Sequence, residues 1–199
     1  MVIGLTGGIG SGKSAVLDIL EKDHGASVIV ADDVARMLEM PGGRCYESIV
    51  DEFGTEILEG GRQGNPIDRA ALAGIVFSDN DKLETLNYIV HPMVRIEIML
   101  MIAGNYSRNP DALIVIEAAL MMEGNLQDLL DELWVVRADR DIRIDRLKGR
   151  GVDPDRAADI METQMSDEEY MQCADRVIDN SGTMDELRIQ IDDILKEVL

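Results

Sequence analysis

The chain has 199 residues, a length that fits one domain with a substantial buried core. Its formal net charge of −20 argues against non-specific binding to nucleic acid or to an anionic membrane. Its 2 cysteines are too few for a disulfide framework, and they lack metal-ligand spacing. The first predicted strand begins at Met1, and no apolar run approaches the roughly 18 residues of a membrane span. We therefore expect a cytoplasmic protein with no signal peptide and no membrane segment.

The N-terminal segment predicts a strand, a glycine-rich loop and a helix. The apolar run from Met1 to Leu5 is typical of a buried strand. The segment from Thr6 to Ser14, T-G-G-I-G-S-G-K-S, completes the phosphate-loop pattern G-x-x-x-x-G-K-[S/T]. Apolar residues at helical spacing follow over 15–22, so the loop has the strand-to-helix context that this motif requires. The alternative is a glycine-rich turn with a surface lysine, which pattern and context together disfavour.

The residue types of this loop suit the binding of a nucleotide. Its glycines allow positive φ and a close approach of the backbone, so the N–H groups can converge on an anion at a helix N-terminus. A lysine at position 13 would reach the β- and γ-phosphates, and a hydroxyl at position 14 would ligate Mg²⁺. The predicted cofactors are ATP and Mg²⁺. The predicted nucleotide contacts in the loop are Gly8, Ile9, Gly10, Ser11, Gly12, Lys13 and Ser14.

A second buried strand is predicted from Ala26 to Val30, with two aspartates directly after it. In doubly wound folds, ligands bind beyond the carboxyl ends of the strands, so Asp32 would lie at the same edge as the phosphate loop. Two interpretations of Asp32 stay open from its position. It is a base or an Mg²⁺-linked carboxylate that faces an acceptor hydroxyl, or it is the N-cap of a helix beginning near Val34.

The next part of the chain, from about 34 to 109, contains no obvious strand and predicts a helical insertion. One helix is predicted over 67–77, with Asp68 as its cap. Two further helical stretches are predicted over 81–90 and 92–103. We place a break between them at His91, because a residue before a proline is disfavoured in the α region.

Two more strands are predicted at 111–116 and at 133–136. Glu117 ends the first of them on the ligand edge, and the segment 118–131 is predicted to be mainly helical. A helix capped by Asp139 then runs to Arg150. It carries most of a cation cluster formed by Arg137, Arg140, Arg143, Arg146, Lys148 and Arg150. This cluster is either a lid that neutralises phosphates or a solvated helix whose cations suit the helix dipole.

The C-terminal part predicts three helices and a short strand. Asp153 and Pro154 form a favourable helix start, and capping boxes begin at Ser166 and at Thr183. The strand is predicted over 176–178. The order of the elements predicts a three-layer α/β core with a parallel sheet.

Motifs along nearly the whole chain resemble those of the dephospho-CoA kinases, which catalyse the last step of coenzyme A synthesis. The phosphate loop is shared by many kinases, whereas His91-Pro92 and the ending A-D-x-V-I-x-N-x-G at Ala174 to Gly182 are more particular. The other matches are the opening L-T-G-G-I-G-S-G-K-S, A-D-x-V-A-R at Ala31 to Arg36, Pro41-Gly42, Phe53-Gly54, D-R-x-x-L-x-x-x-V-F at Asp68 to Phe77, R-L-x-x-R at Arg146 to Arg150, and Gln164.

The resemblance implies a nucleoside-monophosphate-kinase-like P-loop core, a helical acceptor-domain insertion and a helical lid. In a single domain 1–199, the core would comprise 1–31, 111–137 and 175–199, the insertion 32–110 and the lid 138–174. The resemblance also implies the reaction, in which ATP phosphorylates the ribose 3′-hydroxyl of dephospho-CoA to give CoA and ADP.

The resemblance assigns roles to individual residues as well. The implied catalytic residues are Lys13, Asp32 and Arg146, with Asp32 facing the 3′-hydroxyl. Arg69 and His91 would lie in the acceptor domain, Arg146 and Arg150 in the lid, and Asn180 near the adenine of ATP.

Three positions depart from the family pattern. Val30 replaces the first carboxylate of D-A-D, the segment Ala119 to Glu123 lacks the proline of P-L-L-x-E, and Tyr170 stands where a basic residue is common. The alternatives are another small-molecule kinase, with a nucleoside or shikimate-like acceptor, and a non-catalytic nucleotide-binding homologue. A guanine-specific switch is disfavoured because no N-K-x-D signature is present. The sequence sets no oligomeric state.

Overall fold

The computed structural model describes residues 1–118, 121 and 125–199. Its strands are β1 (Val2–Thr6), β2 (Ser27–Val30), β3 (Ile114–Glu117), β4 (Glu132–Arg137) and β5 (Arg176–Asp179). They form one sheet in the order β2-β3-β1-β4-β5. Strand β1 pairs in parallel with β3 and with β4, and β4 pairs in parallel with β5. The predicted α/β class and parallel sheet are confirmed.

Helices connect the strands and form the rest of the described fold. They are α1 (Lys13–Lys22), α2 (Ala31–Glu39), α3 (Tyr46–Phe53), α4 (Arg69–Val76), α5 (Asn80–Arg108), α6 (Arg140–Gly149), α7 (Pro154–Thr163), α8 (Asp167–Cys173) and α9 (Met184–Val198). Short 3₁₀ turns occur at Thr55–Ile57, Glu59–Gly61 and Gln127–Leu129.

The apolar residues of the central strand explain why it lies inside the molecule. Ile3 and Leu5 of β1 are fully buried, and each such side chain contributes about 1.5–3 kcal/mol by its removal from water. They share one core cluster with Trp134 of β4, Leu20 of α1 and Ile191 of α9. This packing holds the end of β1 and the start of α1 in place, and the phosphate loop joins those two elements.

The predicted helix starts are mostly confirmed. Asp68 and Asp153 each accept hydrogen bonds from two backbone N–H groups of the following turn. Ser166 and Thr183 each form a reciprocal capping box with the glutamate three residues later. Asp139 is the N-cap residue of α6, as predicted, but its side chain makes no capping hydrogen bond. Its carboxylate instead accepts a hydrogen bond from Arg137 Nη2.

Helix α5 is continuous, so the predicted break at His91-Pro92 is wrong. A proline inside a helix removes one backbone hydrogen bond and usually kinks or breaks the helix. Here Val90, Val94 and Ile98 are buried at four-residue intervals on either side of Pro92. The burial of this apolar row on both sides of Pro92 outweighs the local cost of the proline. That burial depends on tertiary packing, so the residue pattern around the proline does not reveal it.

Helix α5 is also notable for its length and its apolar composition. Within the described residues, it is the one helix long and apolar enough, by length and composition, to cross a membrane. The sequence pattern predicts no such segment, because Arg95 and Glu97 interrupt the apolar run over 94–103. A single helix of this kind is weak evidence, since the core helix of a soluble protein passes the same test.

The chain divides into two compact units. The first comprises Met1–Ile29 and Asn105–Leu199, and it contains the phosphate loop and almost all of the sheet. The second comprises Val30–Gly104 and contains α2, α3, α4 and most of α5. No strand forms within 34–109, where an isolated antiparallel bridge joins Leu58 and Ile67.

One predicted element falls partly outside the described residues. The helix expected over 118–131 includes residues 119–120 and 122–124, which the structure does not describe. Most of the segment from Ala119 to Glu123, which lacks the family's proline, lies there too. Within the described remainder, Gln127–Leu129 form a 3₁₀ turn rather than an α-helix.

Candidate functional site

The phosphate loop leaves the carboxyl end of β1 and leads directly into α1. Gly12 is the residue before the helix and has φ +95°, a left-handed conformation that favours glycine. A Cβ atom at Gly12 would also collide with Nδ2 of Asn180. Gly8 does not have positive φ, but a Cβ atom there would meet the guanidinium of Arg143. The loop therefore requires glycine at position 12, and a side chain at position 8 would displace the Arg143 guanidinium.

The carbonyl groups at the start of the loop are held by cationic side chains. Lys13 Nζ donates to the Gly7 carbonyl at 2.9 Å. Arg143 Nε donates to the Ile9 carbonyl at 2.9 Å. These bonds fix the orientation of the two carbonyl groups toward the Lys13 and Arg143 side chains.

The end of the loop is held by two further residues. Arg146 Nη1 donates to the Ser11 carbonyl at 3.1 Å and to that of Gly10 at 3.4 Å, and its Nη2 donates to the Asn180 carbonyl at 2.8 Å. Asn180 Nδ2 donates to the Ser11 carbonyl at 2.8 Å, and Asn180 is 3% exposed. Asn180 thus links β5 to the loop backbone, and its predicted position near adenine stays a prediction.

Unlike these carbonyl groups, several backbone N–H groups of the loop have no hydrogen-bond partner among the described residues. No described residue accepts a hydrogen bond from the N–H of Gly10, Gly12, Lys13 or Ser14. Such groups at a helix N-terminus form a concave site for an anion, and the helix dipole adds to its positive potential. With the carbonyls satisfied by Lys13, Arg143, Arg146 and Asn180, this backbone is arranged to receive phosphate oxygens.

Lys13 has an acidic neighbour, Glu117, which the sequence pattern predicts at the ligand edge. Its Nζ lies 3.6 Å from Oε1 of Glu117, the last residue of β3. The two side chains are 18% and 14% exposed, so this pair is largely removed from water. The signal in the sequence is a carboxylate directly after an apolar run. In the structure, that run is the strand β3, which pairs with β1.

Two residues are candidate ligands for Mg²⁺: Ser14, which belongs to the loop motif, and Glu117, which lies beside Lys13. Ser14 is exposed, and within the described residues its hydroxyl makes no hydrogen bond. Those residues contain no cluster of three or more His, Cys, Asp or Glu side chains suited to hold a metal. Mg²⁺ in nucleotide sites usually keeps several waters and uses one or two protein oxygens with the phosphates. Ser14 and Glu117 fit that pattern.

The cation cluster of α6 divides into two groups. Arg143 is 7% exposed and Arg146 is partly buried, and both donate to the loop backbone. The solvated-helix interpretation is therefore wrong for these two residues. Arg140, Lys148 and Arg150 are exposed, and the choice between lid and solvated helix stays a prediction for these three residues.

Tyr170, which stands where the family often has a basic residue, is a buried residue of α8. Burial raises the pKa of its phenol, and the nearby positive charge of Arg143 opposes that rise. A neutral phenol at this position adds no charge to the loop. Arg143 Nη1 is paired with Asp167 at 3.0 Å instead.

In the second unit, Asp32 lies in the first turn of α2 and is exposed. The helix begins at Ala31, its N-cap is Val30, and no side chain caps it. The N-cap interpretation of Asp32 is therefore wrong, although an acidic residue in a first turn suits the helix dipole. Among the described residues, Asp32 has no hydrogen-bond or ionic partner.

The other two acceptor-side residues also lie in the second unit. Arg69 begins α4 and forms a salt bridge with Glu39 at the end of α2. Its side chain is 56% exposed, so part of the guanidinium faces solvent. His91 lies inside α5 and is half-buried.

Comparison with known proteins identifies the family. The family model described as dephospho-CoA kinase matches residues 1–186. The dephospho-CoA kinase of Oceanobacillus iheyensis is 41% identical over 199 residues, which cover 99% of this chain and 97% of that protein. The enzyme of that name from Carboxydothermus hydrogenoformans is 42% identical over 197 residues, 98% of this chain and 93% of that protein. The crystal structure of TT1252 from Thermus thermophilus has a TM-score of 0.81 and 31% identity, and the match covers 100% of this chain and 98% of that one. This chain belongs to the dephospho-CoA kinase family.

Proposed function

We propose that this protein transfers the γ-phosphoryl group of ATP to the ribose 3′-hydroxyl of dephospho-CoA in the cytoplasm, giving CoA and ADP. The observation that carries the proposal is the phosphate loop, whose free N–H groups and Lys13 lie in a chain matched by the family model over 1–186. Another small-molecule kinase with a nucleoside or shikimate-like acceptor is not favoured, because the whole-chain relatives carry the dephospho-CoA kinase name.

On the donor side, this chain's own groups would bind and orient the phosphates. The N–H groups of the loop would receive the β-phosphate, and Lys13 would neutralise charge that develops between the β- and γ-phosphates. Arg146 would add positive charge from α6, which we assign to the lid with residues 138–174. Arg150 is exposed near the end of that helix and would reach the nucleotide from solvent.

A magnesium ion would be held by the Ser14 hydroxyl and by the Glu117 carboxylate, directly or through water. When bound, the ion supplies charge neutralisation and fixes the orientation of the phosphate oxygens. Lys13 lies beside Glu117, so the lysine also limits the cost of holding a largely buried carboxylate.

On the acceptor side, we assign residues 32–110 to the binding of dephospho-CoA. Asp32 would orient or deprotonate the 3′-hydroxyl, for which an exposed carboxylate with no described partner is available. Arg69 and His91 would contact the acceptor. The exposed part of Arg69 is chemically suited to one of its phosphate groups.

The direct experiment is an ADP-release assay with ATP, Mg²⁺ and dephospho-CoA as the acceptor. We expect ADP production that depends on dephospho-CoA and exceeds the rate with shikimate or nucleosides by at least two orders of magnitude. Replacing ATP by GTP tests the nucleotide preference. Binding of ATP without turnover on any acceptor would favour the non-catalytic alternative and contradict the proposal.

Arg146 provides a test of the assigned lid. We expect Arg146→Ala to lower kcat more than tenfold, because one cation near the transferred group is lost. The dissociation constant of ATP should rise by a smaller factor, about three- to tenfold, since the Ser11 and Gly10 carbonyls lose a donor. Calorimetric ATP titration and steady-state kinetics separate the two effects.

The exposed Arg150 supplies a comparison for that test. Arg150→Ala removes one cation of the same helix segment without removing a described loop contact. If Arg146→Ala lowers thermal stability but leaves kcat unchanged, Arg146 supports the loop structure and takes no part in transfer.

A further inference from the structure

The peptide groups of Ile9, in the middle of the phosphate loop, are held on both sides. The Ile9 N–H donates to Oε1 of Gln164 at 2.8 Å. The Ile9 carbonyl accepts from Nε of Arg143 at 2.9 Å. Neither bond belongs to the sheet or to a helix, so side chains distant in sequence hold this residue.

Both bonds connect Ile9 to the junction between α7 and α8. Gln164 is the C-cap residue of α7 and has an extended backbone, and α8 begins three residues later at Asp167. Arg143 Nη1 pairs with Oδ1 of Asp167 at 3.0 Å. The junction between α7 and α8 therefore reaches Ile9 directly through Gln164 and indirectly through Asp167 and Arg143.

The burial of these groups indicates which of the contacts is most constrained. The Arg143 side chain is 8% exposed, and a buried guanidinium needs its donors satisfied. Its bonds to Ile9 and Asp167 satisfy two of these donors, so both partners restrain the arginine. Gln164 is half-buried and fixes the opposite side of the same residue through an uncharged acceptor.

The position of Ile9 in the loop gives these bonds a consequence for ligand binding. The next residue, Gly10, has φ +78°, and no described residue accepts a hydrogen bond from its N–H. The Gly10 N–H lies in the same planar peptide unit as the Ile9 carbonyl, so the orientation of this N–H depends on how firmly Ile9 is held. Preorganised donors bind an anion more tightly because less reorganisation accompanies binding.

We propose that Gln164 is a positioning residue for the nucleotide, acting through the Ile9 N–H, with Asp167 and Arg143 as its counterpart on the Ile9 carbonyl. This inference rests on the proposed function for the identity of the nucleotide as ATP. Gln164 touches no phosphate. It holds the loop in the shape in which Gly10 and the following N–H groups converge on the phosphates.

The first experiment compares Gln164→Met with the unmodified protein. Methionine has a similar length and no strong acceptor for the Ile9 N–H. We expect the dissociation constant of ATP, measured by calorimetry without acceptor, to rise about three- to tenfold, the effect of one net hydrogen bond. The kcat and the KM for dephospho-CoA should stay within twofold. Glu162→Met, at an exposed position of the same helix, is the matched control and should leave ATP affinity unchanged.

A second measurement follows the contact itself in the ligand-free protein. Amide hydrogen exchange at Ile9, resolved by NMR, should be about three- to tenfold faster in Gln164→Met. Gln164→Glu keeps an acceptor at the same reach and should restore slow exchange at Ile9. A residue that stabilises only its own helix end would change the melting temperature and would not change exchange at Ile9.

A third variant tests the counterpart on the carbonyl side. Asp167→Asn weakens the hold on Arg143 and should also raise the ATP dissociation constant. Because both variants act on Ile9, their combined effect should be smaller than the product of the two separate factors. Independent, fully multiplicative effects would overturn the proposed coupling.

The outcomes separate this inference from the proposed function. Unchanged ATP affinity and unchanged Ile9 exchange in Gln164→Met would overturn the positioning role. If the unmodified protein binds ATP but phosphorylates no dephospho-CoA, the proposed function fails, and the role of Gln164 is still decided by ATP affinity and by exchange.

Discussion

Lys13→Ala is expected to lower the turnover of dephospho-CoA by about 10²- to 10³-fold, the usual effect of losing one group aimed at developing charge. The structure adds a cost in stability, because Lys13 is also an ionic partner of the largely buried Glu117. Leaving a buried polar group short of a partner typically costs about 1–3 kcal/mol. We therefore expect a lower free energy of unfolding in urea as well as the loss of turnover in the ADP-release assay.

A double variant separates these two effects of Lys13. Lys13→Ala with Glu117→Gln removes both charges of the pair, so most of the stability lost in the single variant should return. The turnover should not return, since the cation at the phosphates is still absent. Near-normal turnover in a folded Lys13→Ala variant would remove the phosphate-loop assignment.

Local patterns predicted the part of the site that local chemistry determines. The spacing of Gly7, Gly12, Lys13 and Ser14, between an apolar strand and an amphipathic helix, correctly placed the loop at the end of β1. The caps at Asp68 and Asp153 were predicted for the same reason, because a cap depends on the residues of one turn.

Contacts between distant segments could not be obtained in this way. The sequence placed Glu117 at the ligand edge, but the register that brings it next to Lys13 is a property of the sheet. The three-residue spacing of Arg143 and Arg146 predicted one shared helix face. It did not reveal that this face lies against loop carbonyls rather than in water.

The errors have the same physical origin. The local effect of Pro92 predicts a break, but α5 continues through this position because a row of aliphatic residues on both sides of it is buried. Aspartate is a good capping residue, which makes Asp32 a candidate N-cap in the sequence, but α2 begins at Ala31, one residue before Asp32, and has no side-chain cap.

Asp32→Asn is the variant that tests the reaction most directly. Asparagine keeps the size of the side chain and removes its charge and basicity. Because Asp32 does not cap α2, the structural cost should be limited to its interaction with the helix dipole, about 0.3–1 kcal/mol. If Asp32 orients or deprotonates the 3′-hydroxyl, turnover should fall by about 10²-fold or more, the usual contribution of a positioned base.

The neighbouring Asp33 provides a matched control for this prediction. It is also exposed in the first turn of α2, and its carboxylate pairs with Arg36 at 2.7 Å. Asp33→Asn should change the helix dipole interaction similarly and leave turnover within a few-fold. ATP affinity should be kept in both variants, since neither changes the phosphate loop. No carboxylate stands two residues upstream of Asp32, where Val30 replaces the family's first acid, so none at that position can substitute for it. Equal turnover in the two variants would exclude Asp32 from the mechanism.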